Sequence, residues 1–132
     1  MNTRTYKWLV ARGTISVAID SKHVALEPDP EGSAYCVLTA QDAREIANII
    51  TELARTLWEA SDKLPEPQAV VEADSRSSKL RTASGAVSLI AHESKPLIAL
   101  AYDGQGAPML NVTQAVAFVQ LIERMLNGLP KE

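Results

Sequence analysis

The chain has 132 residues, 46% hydrophobic and 22% charged, with a formal net charge of −3. That is the size and composition of one soluble globular domain with a continuous core, and it excludes wholesale disorder. A pI near 5.4 has the wrong sign for a protein that holds nucleic acid through its overall field, and leaves only a local basic patch for that task.

In chain order, "TYKWLV" opens as an extended lead-in. "TISVAID" then alternates Ile15, Val17 and Ile19 with Thr14, Ser16, Ala18 and Asp20, a period of two that marks a strand with one buried face. After Ser21-Lys22, "HVALE" sets Val24 and Leu26 against His23, Ala25 and Glu27. The prolines of "PDPEG" cannot donate ladder hydrogen bonds, so the strand stops there, and "SAYCVL" resumes as another. Thr39 is placed to cap a helix whose third position is Asp42, a short variant of the capping-box acid. Ala43, Ile46, Ala47, Ile50, Leu53, Ala54 and Leu57 follow at three- and four-residue steps, an apolar stripe on one helix face.

"SDKLPEPQAVVEADSRSS" follows, rich in Pro, Ser and charge, and reads as an exposed connector. The plan then repeats. "AVSLIAH", "LIALAY", the turn signal "DGQG" and a short "PML" precede a second helix capped by Asn111 and Gln114. At an offset of 72 positions Lys7 matches Lys79, Ser16 matches Ser88, Leu38 matches Leu110, Ala43 matches Ala115 and Ile50 matches Ile122. The predicted organisation is one domain over 1–132: repeat one at 5–60, a linker at 61–76 and repeat two at 77–132. The predicted class is α+β, an internally duplicated ββββα unit with an antiparallel sheet and one helix per repeat packed on it.

The second half is the more apolar. Val116, Ala117 and Leu121 stand where a surface helix would be polar, and in "LIALAY" Ile98, Leu100 and Tyr102 alternate with Leu97, Ala99 and Ala101. An element with no polar side is covered by something. Ile98, Leu100, Tyr102, Val116 and Leu121 therefore form a predicted packing seam, closed either within the chain or by a second subunit in a homodimer.

Chemistry is sparse. His23 and His92 fall on the polar side of their strands with no Cys/His/Asp cluster at ligand spacing, so no metal site is expected. Asp20, Glu27, Asp29 and Glu31 gather on a hairpin rim, where water keeps carboxylates ordinary. Cys36, the one cysteine, lies in an apolar run with no basic neighbour and reads as reduced core. With no GxSxG, P-loop or GxGxxG present, neither catalytic residues nor a cofactor are expected. No apolar segment suits a signal peptide or a membrane span, which points to the cytoplasm and away from the membrane.

Both halves open with basic residues: Arg4, Lys7 and Arg12, then Arg76, Lys79 and Arg81. In the first, Tyr6 and Trp8 interleave with Lys7, the ring-and-phosphate combination of single-strand binders. "CVLTAQDAREIANIITEL", an apolar strand running through a hydroxyl cap into an amphipathic helix, resembles the last strand and helix of a PUR repeat. The paired ββββα layout is similar to the PUR, whirly and PC4-type single-stranded nucleic-acid-binding folds. That resemblance implies interlocked halves, and a DNA or RNA ligand touched by Lys7, Trp8, Lys79 and Arg81. The outward positions Thr14, Ser16, Ala18, Ala25 and Ser88 depart from it, since they offer no aromatic platform.

The residues thus favour a small non-catalytic binding or assembly module whose partner is itself or another protein. Single-stranded nucleic acid is the alternative ligand, and an enzyme of unknown class comes third. One test belongs to the helix stripe. Each large side chain there contributes roughly 1.5–3 kcal/mol on burial, against a typical net stability of about 5–15 kcal/mol. Ile50→Asp is expected to abolish the cooperative thermal transition, and a melt matching the parent's would refute the stripe.

Overall fold

The computed structural model of the chain describes residues 5–9, 14–20, 23–28, 35–60, 71–73, 77–82, 85–92, 95–104 and 109–128. Among them the strands are β1 (Thr5–Leu9), β2 (Thr14–Asp20), β3 (His23–Pro28), β4 (Tyr35–Thr39), β5 (Val71–Ala73), β6 (Ser77–Arg81), β7 (Gly85–Ala91), β8 (Leu97–Gly104) and β9 (Met109–Leu110). Helix α1 (Ala40–Ala60) follows β4, and α2 (Val112–Gly128) follows β9. The class is α+β with antiparallel pairing throughout.

The strands make two sheets where one shared sheet was expected. Their orders are β1-β2-β3-β9 and β4-β8-β7-β6-β5. The last strand of each half causes the difference. β4 leaves the meander of β1, β2 and β3 and pairs with β8, while β9 crosses the other way and pairs with β3. The registers of the two crossings correspond. Leu38 stands opposite Ile98 and Val37 opposite Ala99; Leu110 stands opposite Val24 and Met109 opposite Ala25. The outer pairings agree too, with Lys7 opposite Ser16 and Lys79 opposite Ser88.

Both helices begin as their sequences require. The Asp42 amide donates to Thr39 Oγ1 at 3.1 Å, and the Thr39 amide donates to Asp42 Oδ2 at 3.3 Å. Despite its shorter side chain, Asp42 therefore closes the reciprocal box. In α2 the Gln114 amide donates to Asn111 Oδ1 at 2.7 Å and the Asn111 amide to Gln114 Oε1 at 3.0 Å. Gln114 Nε2 also donates to the Arg81 carbonyl at 3.2 Å, tying the start of α2 to the end of β6.

All seven positions of the predicted α1 stripe are buried. They join Ile15, Val17, Val24 and Leu26 of one sheet and Cys36, Leu38, Leu80, Leu89, Ile98 and Leu100 of the other in one core cluster. The helices pack on each other, and each meets both sheets: α1 touches β2, β3, β4 and β8, while α2 touches β3, β9, β6 and β7. From Leu121 round to Val119 the buried positions of α2 cover an arc of about 160°, against about 120° for α1, at about 100° per residue. That wider arc takes in Leu121, while Ala117 is half-buried and Val116 stays exposed.

The linker is not wholly a connector. Val71–Ala73 adds β5 to the edge of β6, with Val71 opposite Leu80. Val71 is the β-branched residue of this short edge strand. The remaining predicted linker positions, 61–70 and 74–76, lie outside the described residues.

Candidate functional site

A groove grows out of the helix pairing. Thr51, Ala54, Arg55 and Trp58 recur at three- and four-residue steps along α1, so they form one ridge beside its buried stripe. Val112, Val116, Val119, Gln120 and Glu123 do the same along α2. These nine residues line a groove of about 560 Å³ between the helices. Ala54 and Val119 are buried and Val112 half-buried, giving an apolar floor. Trp58 and Val116 stand above it, 42% and 46% exposed.

The polar groups sit along the edges. Arg55 is exposed on the α1 wall and Glu123 on the α2 wall, with Gln120 beside the latter. The Thr51 hydroxyl donates to the Ala47 carbonyl at 2.8 Å, which leaves only its lone pairs for anything entering the groove. The volume lies within the roughly 300–1,000 Å³ usual for small-molecule pockets, but such pockets converge a few polar groups on the ligand. An apolar floor with a polar rim is instead the anatomy of a protein interface.

The residues singled out in the sequence do not gather at one place. Lys79 is half-buried in β6, and Arg81 is exposed at the end of that strand. Lys7 takes its register opposite Ser16 and Trp8 opposite Ile15, in the other sheet. The basic lead-ins thus belong to separate sheets. The side chains of Tyr6, Lys7, Trp8, Thr14 and Asp20 lie outside what is described, as do residues Arg4, Arg12, Asp29, Glu31 and Arg76. Among described outward strand positions, Ser16, Ala18, Ala25, Ser88, Ala99 and Ala101 are half-buried and small, so they supply no stacking surface.

Of the predicted seam, Ile98, Leu100, Tyr102 and Leu121 are buried inside the chain, and Val116 alone is exposed. The outer positions of "LIALAY", Leu97, Ala99 and Ala101, are half-buried, so β8 does have two unlike faces. His92 is exposed and its Nδ1 accepts from the Lys95 amide at 3.0 Å, a turn-holding role between β7 and β8. His23 is half-buried opposite Asp20. Cys36 is buried, and among the described residues no group of three or more His, Cys, Asp or Glu could hold a metal ion.

Trp58 escaped the sequence reading. Its signal was present: at 3.6 residues per turn it falls outside the arc of Ala43 to Leu57, so a large ring is left beside the stripe.

The groove geometry separates floor from lip. Val116→Ser is expected to move stability by less than about 0.5 kcal/mol, as exposed substitutions do. Val119→Ser should cost at least about 1.5 kcal/mol by burying a hydroxyl where a methyl packs. Urea denaturation of the two variants checks this, and equal effects would contradict the assignment. Comparisons of the chain with protein-family models, with curated proteins and with solved structures return no match.

Proposed function

We propose that this chain is a small non-catalytic binding or assembly module whose working surface is the groove between α1 and α2. The observation that carries the reading is the exposed pair Trp58 and Val116 above an apolar floor. Tryptophan is the residue type most enriched among energetic anchors of protein interfaces. Here it sits on a helix held by the core, which spares a partner the cost of ordering it. The surrounding Arg55, Gln120 and Glu123 form the polar edge that such a surface needs to stay soluble when free.

Carbene footprinting tests this use of the groove. Labelling of Trp58 and Val116 in dilute pure protein is compared with labelling in native cell extract. Protection of both residues in extract by about threefold or more is expected, since a bound surface excludes the reagent. Equal labelling in the two conditions, with Trp58 and Val116 as reactive in extract as in isolation, would contradict it.

A further inference from the structure

We propose that the occupant of the groove is a second copy of this chain, seated about a two-fold axis that runs along the groove. This rests on the reading of the groove as the working surface and adds the identity of the partner.

The charges on its walls carry the inference. Arg55 lines the α1 wall and Glu123 the α2 wall. A two-fold axis along the groove lays α1 of each copy over α2 of the other, so the wall that carries Arg55 faces the partner wall that carries Glu123. An axis running across the groove would lay α1 on α1 and α2 on α2, setting the arginine wall against its own copy and the glutamate wall against its own copy. The surface is self-complementary in the first arrangement and self-repelling in the second. Opposed charges of this kind fix orientation, while the indole of Trp58 and the Val116 methyl groups supply the apolar contact.

The other flank of the helix pair explains why assembly stops at two. In the 72-residue correspondence, Val116 matches Arg44, Gln120 matches Asn48 and Arg55 matches Asn127. Arg44, Asn48 and Asn127 are all exposed. Val116, the exposed aliphatic residue of the groove, thus has the charged Arg44 as its counterpart. One adhesive flank per copy gives an isologous, closed interface, whereas two would let copies add without limit.

Size sets the strength. The 21 and 17 residues of α1 and α2 make helices about 31 and 26 Å long at about 1.5 Å per residue. Two helices side by side then offer a footprint of about 500 Å² per copy, or about 1,000 Å² in all, at the lower edge of what holds a specific complex. A dissociation constant of about 1–100 µM is expected.

Sedimentation equilibrium from about 1 to about 500 µM spans that range. The parent should pass from 14.3 kDa to twice that mass. Arg55→Glu alone and Glu123→Arg alone should each weaken the dimer about tenfold or more, because each creates two like-charge contacts. The double variant should return to within about threefold of the parent, and an equimolar mixture of the single variants should form a heterodimer. Both side chains are exposed, and unchanged thermal melts establish that the variants fold. A parent that stays monomeric throughout overturns the proposal, as does a dimer indifferent to the charge reversals. If the parent is monomeric while footprinting still finds Trp58 and Val116 protected in extract, a different partner uses the groove and only this inference falls. If neither dimerisation nor protection is found, the functional reading falls with it.

Discussion

Neither half of this chain closes its own sheet. The free edge of β3 is completed by β9 from the second half, and that of β8 by β4 from the first. A strand edge left open carries a row of unsatisfied amides and carbonyls and invites pairing with other molecules. Exchange of the last strand pairs β8 along β4 and β3 at Val24 and Ala25, and leaves the shorter β4 and β9 as outer strands. Each crossing strand leads directly into a helix, so the exchange also decides where α1 and α2 lie. Because α1 starts from one sheet and α2 from the other, the helices meet each other and touch strands of both sheets. One core results, to which both halves contribute.

The groove is a consequence of that meeting. Helices that pack along a shared buried stripe diverge on their outer sides, and what lines the divergence depends on residues just beyond the stripe. Here the exposed lining residues include Trp58 and Val116 together with the charged Arg55 and Glu123. Trp58 places a large ring at the groove, 42% exposed, beside the 46% exposed Val116. The functional reading starts from that exposed pair, and the proposed dimer from the charges of Arg55 and Glu123 on the two walls.

Periodicity made the helices legible in the sequence. The α1 stripe, the Thr39–Asp42 and Asn111–Gln114 caps and the alternation of β2 and β3 all depend on neighbours within a few positions, and local chemistry decides them. Sheet membership was not legible. The side-chain pattern of "YCVLT" states that Cys36 and Leu38 face inward, but it is the same whether the strand pairs with β3 or with β8. The edge strand Val71–Ala73 was missed because its flanks read as connector and its partner lies in the following segment. At the site, Val116 was noticed as an apolar residue out of place. Trp58 was not, because a single ring bordering a stripe acquires meaning only when the facing helix is known.

The crossing itself is open to direct measurement by proton NMR on the isotope-labelled chain. Cross-strand nuclear Overhauser contacts should connect the backbone of Ala25 with Met109 and of Val37 with Ala99, the register partners in the two exchanged pairs. Contacts from Val37 into the backbone of β3 instead, with none to β8, would mean that each half folds on itself. The architecture described here, and the groove that depends on it, would then be wrong.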